Sequence, residues 1–316
     1  MKGILILLLA IMPFVGVAQK TGQSQTRQDT PSKEVEQILE YFDVPQEQQE
    51  GLANLFNKSK DGDEFLKYFD GLPQEQQEEL TNLMIDFTER AVMVVVDSLI
   101  EEGLYMEALE FVDSLCVEFP KNTGGLPAPP MVYFQKIILY HNMQESQQKI
   151  KAADDCIASI SHYQIRNYER MSAYVYRLRG DGYVSLGDYK TAISSYEKAI
   201  GLYKKLGELD QQAWLLCQIA NCYGLCKKPF TSDKFFENGL SKYLKYFDTS
   251  EKWLLQNELV ADDSDTQEKI KEFGKQLFSK AFYEATRKHN MLFEKYIQMA
   301  VHCGIDLENE MQKLSL

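Results

Sequence analysis

From Val35 to the C-terminus, apolar residues return every three or four positions, with breaks, and no segment sustains the alternation of a half-buried strand. The period is helical throughout and the polar stretches between periodic segments are short, which predicts helix pairs lying antiparallel. Residues 19–33, QKTGQSQTRQDTPSK, contain no apolar side chain able to anchor them and are expected to be a disordered leader.

Within this pattern one corner is written twice. Tyr41-Phe42-Asp43 leads into Pro45-Gln-Glu-Gln-Gln-Glu, and Tyr68-Phe69-Asp70 leads into Pro73-Gln-Glu-Gln-Gln-Glu. An apolar helix end followed by proline is the signature of a new helix. Proline suits position N1, where its missing N–H would be unbonded anyway. The acids that follow favour the positive end of the helix dipole. A third Tyr-Phe-Asp, at 246–248, precedes Thr249-Ser250-Glu251, another expected helix start. With no base, nucleophile or ligand set beside these acids, the motif builds a helix-to-helix corner. Residues 34–88 are expected to form small N-terminal helical hairpins.

The clearest repeat runs from Ala173 to Leu206. Gly180 and Ala192 are small where two helices must cross closely, and Tyr176 and Tyr183 share one face. Ala192, Tyr196, Ala199 and Tyr203 step by four, three and four along a second helix. Gly187 can take the positive φ that ends the first helix. A second copy, 213–246, sets Ala213, Ala220, Tyr223, Ser232, Phe236, Gly239 and Leu240 in register 40 residues later. At its turn, Cys226-Lys227-Lys228-Pro229 replaces Leu-Gly-Asp-Tyr. A weaker copy spans 89–122, with Gly103, Tyr105, Ala108, Val112 and Pro120 in place and Val96 where a small residue is expected. A loop or hinge rich in Gly and Pro follows at 124–130. Helices at 131–142 and 146–160 then form a degenerate pair, and helices near 252–260, 266–288 and 292–303 continue the stack.

These positions resemble the tetratricopeptide repeat, a helix–turn–helix unit of typically about 34 residues. The resemblance implies an all-α, right-handed α-solenoid of antiparallel helix pairs over 89–316, with a small helical N-terminal section. It also implies partner binding along a groove lined by the first helices. By position, Tyr174, Arg177, Asp181 and Ser185 face that groove from one repeat, and Trp214, Cys217, Asn221 and Leu225 from the next. Arg beside Tyr and Trp is the composition of a binding hot spot. Some members clamp a peptide's terminal carboxylate with Lys and Asn. Here Asp181 stands where Asn is wanted, and its charge opposes that ligand.

The first residues, MKGILILLLAIMPFVGVAQK, have the form of a secretory signal peptide: Lys2, an apolar run from Ile4 to Val17, and small residues at Gly16 and Ala18. Cleavage is expected after Ala18, giving a periplasmic or secreted chain. The run is shorter than a spanning helix needs and Pro13 interrupts it. No later segment approaches about 18 apolar residues, so no membrane span is expected after signal removal. The mature chain would hold 33 basic against 47 acidic residues, a net −14. That charge disfavours nucleic acid.

Six cysteines in an exported chain invite a disulfide reading. However, Cys217, Cys222 and Cys226 fall in one helical segment, cannot meet bridge geometry, and read as small buried apolar residues. A bridge between Cys116 and Cys156 stays open. His141, His162, His289 and His302 are scattered, and His302-Cys303 lacks a third ligand at metal spacing. Asn57 to Gly62 imitates half a calcium loop, but Tyr68 stands where the bidentate Glu belongs. Asp262-Asp263-Ser264-Asp265 reads as a solvated helix cap. No phosphate loop, nucleophile elbow or paired-carboxylate motif appears, so no catalytic residue, metal or cofactor is expected. The sequence points to a non-enzymatic scaffold or assembly factor for a protein or peptide. The alternatives are a periplasmic sensor subunit working with a separate signalling partner, or a helical carbohydrate-binding protein.

Overall fold

A computed structural model describes residues 71, 73–122, 127–163 and 168–314. The signal segment, the leader, the Tyr41 corner, residues 68–70, the Asn57 loop and Gly124-Gly125 lie outside the described residues; Pro73 stands one position earlier than expected, as the N-cap of the helix that begins at Gln74, with Glu75 in its first turn. Among the described residues there are twelve helices and no strand. The chain divides into two compact units, residues 1–168 and 169–316.

In the first unit, α1 (Gln74–Glu101) and α2 (Tyr105–Asn122) are followed by α3 (Pro130–Asn142) and α4 (Ser146–His162). Ala91, Val92 and Val96 of α1 and Ala108, Phe111 and Val112 of α2 are almost fully buried, so Val96 fills the position where the repeat expects a small residue. α3 and α4 form the expected pair. The Ser159 hydroxyl donates to the Ala128 carbonyl at 2.7 Å and the Tyr163 hydroxyl to the Pro127 carbonyl at 2.7 Å. α4 thereby holds the segment that leads into α3. A single helix runs through Thr88 and Glu89, the point between the two expected N-terminal regions.

The second unit contains α5 (Glu169–Ser185), α6 (Tyr189–Leu206), α7 (Leu209–Leu225) and α8 (Pro229–Tyr246). The short α9 (Glu251–Leu254) and an irregular stretch then lead to α10 (Ser264–Thr286), α11 (Asn290–His302) and α12 (Leu307–Leu314). Each long pair is an antiparallel hairpin. Ala173, Ala192, Tyr196, Ala199 and Tyr203 are buried between α5 and α6, and Ala213, Ala220, Phe236 and Leu240 between α7 and α8, as the register requires. A Cβ at Gly180 would lie 2.6 Å from Tyr196 Cδ1. One at Gly239 would lie 2.8 Å from Cys217 Sγ, and one at Gly274 2.7 Å from Ile305 Cγ1. These are the close crossings.

Eight corners among the described residues share one turn. After α5, the Asp188 N–H bonds the Tyr183 carbonyl and the Gly187 N–H that of Val184, with Gly187 at φ +77°. This is the Schellman closure, which satisfies the last carbonyls of the helix. It recurs with Gly103, Gln144, Gly207, Lys227, Asp248, Lys288 and Gly304 at the left-handed position. The turn at 226–228, whose sequence departs from the repeat, therefore has the same shape with Lys227 at φ +58°. Tyr246-Phe247-Asp248 is such a corner too, and Ser250 caps α9 by accepting the Trp253 N–H at 3.2 Å.

Downstream, the helix expected over 252–260 is only the single turn α9. Past its end the chain is irregular, and the Leu259 N–H reaches across to the His302 carbonyl at 3.1 Å. Asp263 caps α10 through the Thr266 N–H, as the acidic run predicted.

Candidate interaction groove

The first helices of the three hairpins in the second unit, α5, α7 and α10, line one groove of about 620 Å³, with Tyr243 of α8 behind them. Arg177 enters from α5. Its guanidinium carbon lies 4.3 Å from the centre of the Trp214 ring and 5.1 Å from that of Tyr174, and Nη1 donates to Gln211 Oε1 at 3.4 Å. The buried Arg177 Nε–H has no acceptor, so the hydrogen bonding of this group is unfinished in the free protein.

Trp214 spans two roles. Its ring packs against the cores of both neighbouring hairpins, and its Nε1–H points at Glu272 Oε1, 3.4 Å away on α10. Trp214, which the resemblance places on the groove, therefore also supports the packing of both hairpins.

The α10 wall carries alternating charge. Lys269 bonds Asp265 at 2.8 Å and lies 3.7 Å from Asp210 on α7, and the bond to Asp265 foremost holds its ammonium protonated well above the usual range. Lys275 pairs with Glu272 at 3.3 Å. Burial pushes the Tyr203 hydroxyl up to about 12 despite the nearby Arg177 charge, so it stays neutral.

The structure brings Tyr174, Arg177 and Trp214 together. The Asp181 carboxylate instead accepts the Tyr196 hydroxyl at 2.6 Å and locks α5 to α6. Ser185 is exposed and its hydroxyl returns to the Asp181 carbonyl at 3.0 Å. Asn221 and Leu225 are exposed toward the corner that ends α7, outside the groove lining. Cys217 is a correction. It is 2 % exposed and turned onto Gly239, because the close crossing of α7 and α8 takes its side chain. Asp210, Gln211, Glu268, Lys269 and Glu272 were not singled out from the sequence. Acids and bases three and four apart on a helix read there as a solvated face.

A second charged cluster lies between α8 and α10. Nearly buried Lys280 bonds Asp233 at 2.7 Å and Glu284 at 3.0 Å, while Arg287 bonds Asp233 at 2.7 Å and His289 Nδ1 lies 2.7 Å from Glu284. Every charge in it has a partner, as a structural lock requires.

All six cysteines are free. Cys116 and Cys156 are unbridged, and Cys226 is exposed, where burial was expected, because it caps α7 at a corner. Among the described residues no group of three His, Cys, Asp or Glu side chains could hold a metal, and no helix is long and apolar enough to cross a membrane. The net charge is unevenly shared. Residues 169–316 hold 21 Lys and Arg against 21 Asp and Glu, so the whole −13 belongs to residues 1–168.

No family model matches the sequence, and no curated protein matches it either. Solved structures do. The crystal structure of MamA protein aligns at 19% identity and TM-score 0.41, covering 68% of this chain and 94% of that one. The kinesin light chain TPR-like repeats of Podospora anserina align at 13% identity and TM-score 0.43, covering 71% and 100%. Aspartyl phosphate phosphatase F from Bacillus subtilis aligns at 14% and 0.41, covering 92% and 85%. At these scores the likeness carries no functional argument. The description of the chain as stacked helical hairpins rests on its own turns and crossings.

Proposed function

We propose that the chain is an exported, non-enzymatic interaction protein that holds a protein or peptide segment in the groove of α5, α7 and α10, as a scaffold or assembly factor in the bacterial envelope. The observation that carries this reading is the Arg177 guanidinium lying over the Trp214 and Tyr174 rings in the groove lining. A planar cation on aromatic faces is suited to a carboxylate flanked by apolar side chains. The partner segment therefore presents one acid to Arg177, with apolar residues on either side. Export is supported by the signal-like leader and the protein-binding class by the hairpin stack.

The test is recovery of partners from envelope extract on the mature chain. Because Trp214 also supports the cores, the diagnostic variant is Arg177→Ala, with Trp214→Phe as a packing-preserving companion. Arg177→Ala should keep its melting transition and lose capture by about tenfold or more, since one anchor of this type is worth roughly 2 kcal/mol. Undiminished capture by folded Arg177→Ala would move the binding surface out of the groove.

A further inference from the structure

Two neighbouring corners of the second unit repeat a pattern that neither the fold nor the groove explains. Lys227-Lys228-Pro229-Phe230 joins α7 to α8, and Lys288-His289-Asn290-Met291 joins α10 to α11. In each, a lysine holds the left-handed position, at φ +58° and +61°, where Gly187 serves the preceding hairpin. A side chain there is strained and glycine is favoured. In each, the residue three positions on is apolar and stands in solvent: Phe230 is 84 % and Met291 85 % exposed.

The corners lie at one end of the stack. Asp233, in the first turns of α8, accepts from Arg287, the residue before Lys288, at 2.7 Å. α5 and α7 run in parallel, with Arg170 on Glu208 and Arg177 on Gln211, so the corner after α5 comes to the same edge with exposed Leu186 and Lys190. Across 186–190, 225–230 and 287–292 there are five Lys or Arg and a single acid, Asp188, which is occupied in capping α6. Lys190, Lys227, Lys228 and Lys288 make no ion pair among the described residues.

We propose that this corner edge docks on an anionic lipid bilayer, with Phe230 and Met291 entering the interface and the lysines lying among the headgroups. An acidic protein would be served by the charge alone and would need pockets for two separated tips. A bilayer accepts isolated apolar tips without a complementary cavity, and its negative surface attracts the flanking lysines. Gln144 and Asp248 show that other side chains also hold this position, so what sets the edge apart is lysine at both corners with an exposed apolar residue three positions on. The inference is independent of the groove.

The test is co-flotation of the full chain with phosphatidylcholine vesicles, with and without phosphatidylglycerol. Binding is expected only with phosphatidylglycerol and should fall as salt rises. The pairs Lys227→Glu with Lys288→Glu and Phe230→Ser with Met291→Ser should each weaken it by about tenfold or more. Both pairs sit in solvent, so their melting should match the parent chain. As a reading that needs no loss of function, Phe230→Trp should shift its emission to the blue on the anionic vesicles. Absence of binding, or binding that neither pair alters, overturns the proposal. So does loss with the lysine pair alone together with full competition by soluble polyglutamate, which would make the edge a site for acidic polymers.

Discussion

Two glycine-to-alanine substitutions in one hairpin should move stability in opposite directions. At Gly180 the new methyl would lie 2.6 Å from Cδ1 of Tyr196, a ring 1 % exposed whose hydroxyl is tied to Asp181 at 2.6 Å. The ring cannot step aside without losing that bond and reopening the α5–α6 crossing. Overpacking of this kind costs about 1–3 kcal/mol, against a gain of roughly 0.5–1 kcal/mol from replacing glycine inside a helix. The net expectation is a loss of about 1–2 kcal/mol. At Gly201, on the exposed side of α6, a Cβ meets nothing within 4 Å, so only the helical gain remains. For a unit of this size 1 kcal/mol moves the midpoint by roughly 2–4 °C. Thermal unfolding followed by circular dichroism, with urea titration as a check, should therefore find Gly180→Ala below and Gly201→Ala above the parent chain. Gly180→Leu should be worse than Gly180→Ala. Equal stability of the two alanine variants would refute the assigned crossing and, with it, the register of the repeat.

Replacing Lys227 by Gly should stabilise the chain by about 1 kcal/mol in urea titrations, because the corner already holds a positive φ, and Gly187→Ala should lose a similar amount. Burial alone would raise the Asp233 carboxyl, but hydrogen bonds from Lys280 and Arg287 outweigh it and hold the group below its ordinary 3.8. A depressed folded-state value gives stability that is present above 3.8 and lost as the pH falls through the folded value. Asp233→Asn should thus be less stable than the parent at neutral pH, and the gap should narrow as the pH falls below 3.8; a gap that does not narrow in acid on urea titration would contradict the ion-pair account. N-terminal sequencing of the chain recovered from the envelope should begin at Gln19, and an intact Met1 on a cytoplasmic product would sink the export reading.

The hairpins of residues 173–246 were legible because tight crossings need small residues at fixed spacing, and Gly180, Ala192, Ala220 and Gly239 supply them. The turn at Lys227 was not, because lysine carries no preference for the left-handed region. Its geometry comes from the hairpins on either side. Positions carried over from the tetratricopeptide resemblance placed Arg177 and Trp214 on the groove. They also placed Cys217 there, since spacing along a helix cannot separate a residue at the rim of a face from one turned onto the partner helix. The α10 wall carries no signature of its own: Lys269 and Glu272 gain their meaning only from Asp210 and Trp214, 59 and 58 positions earlier in the chain. The helix expected at 252–260 failed for a related reason. Apolar spacing there suits a helix, but Leu259 is fixed by the His302 backbone and not by its neighbours.

The uneven charge changes how partners would be chosen. An acidic chain read as a whole suggests a field that draws in basic partners. The unit that carries both the groove and the corner edge has equal numbers of acids and bases, so its own long-range field is weak. Recognition then falls to charges within a Debye length of about 8 Å at physiological salt. In the groove, Lys269 is already held by Asp265 and Asp210, and Lys275 by Glu272. That leaves Arg177 and Lys271 as the lining cations with no ion pair among the described residues, and of the two Arg177 lies against aromatic rings. A carboxylate there meets one unmatched guanidinium between aromatic rings, and a lysine in the same place would face a cation. At the corners the lysines stand unpaired beside exposed apolar tips. The two proposed surfaces therefore differ in kind: one would take a single acid beside aromatic rings, the other a spread of negative charge over an apolar phase. Salt should separate them, weakening the corner edge steeply and the stacked Arg177 much less.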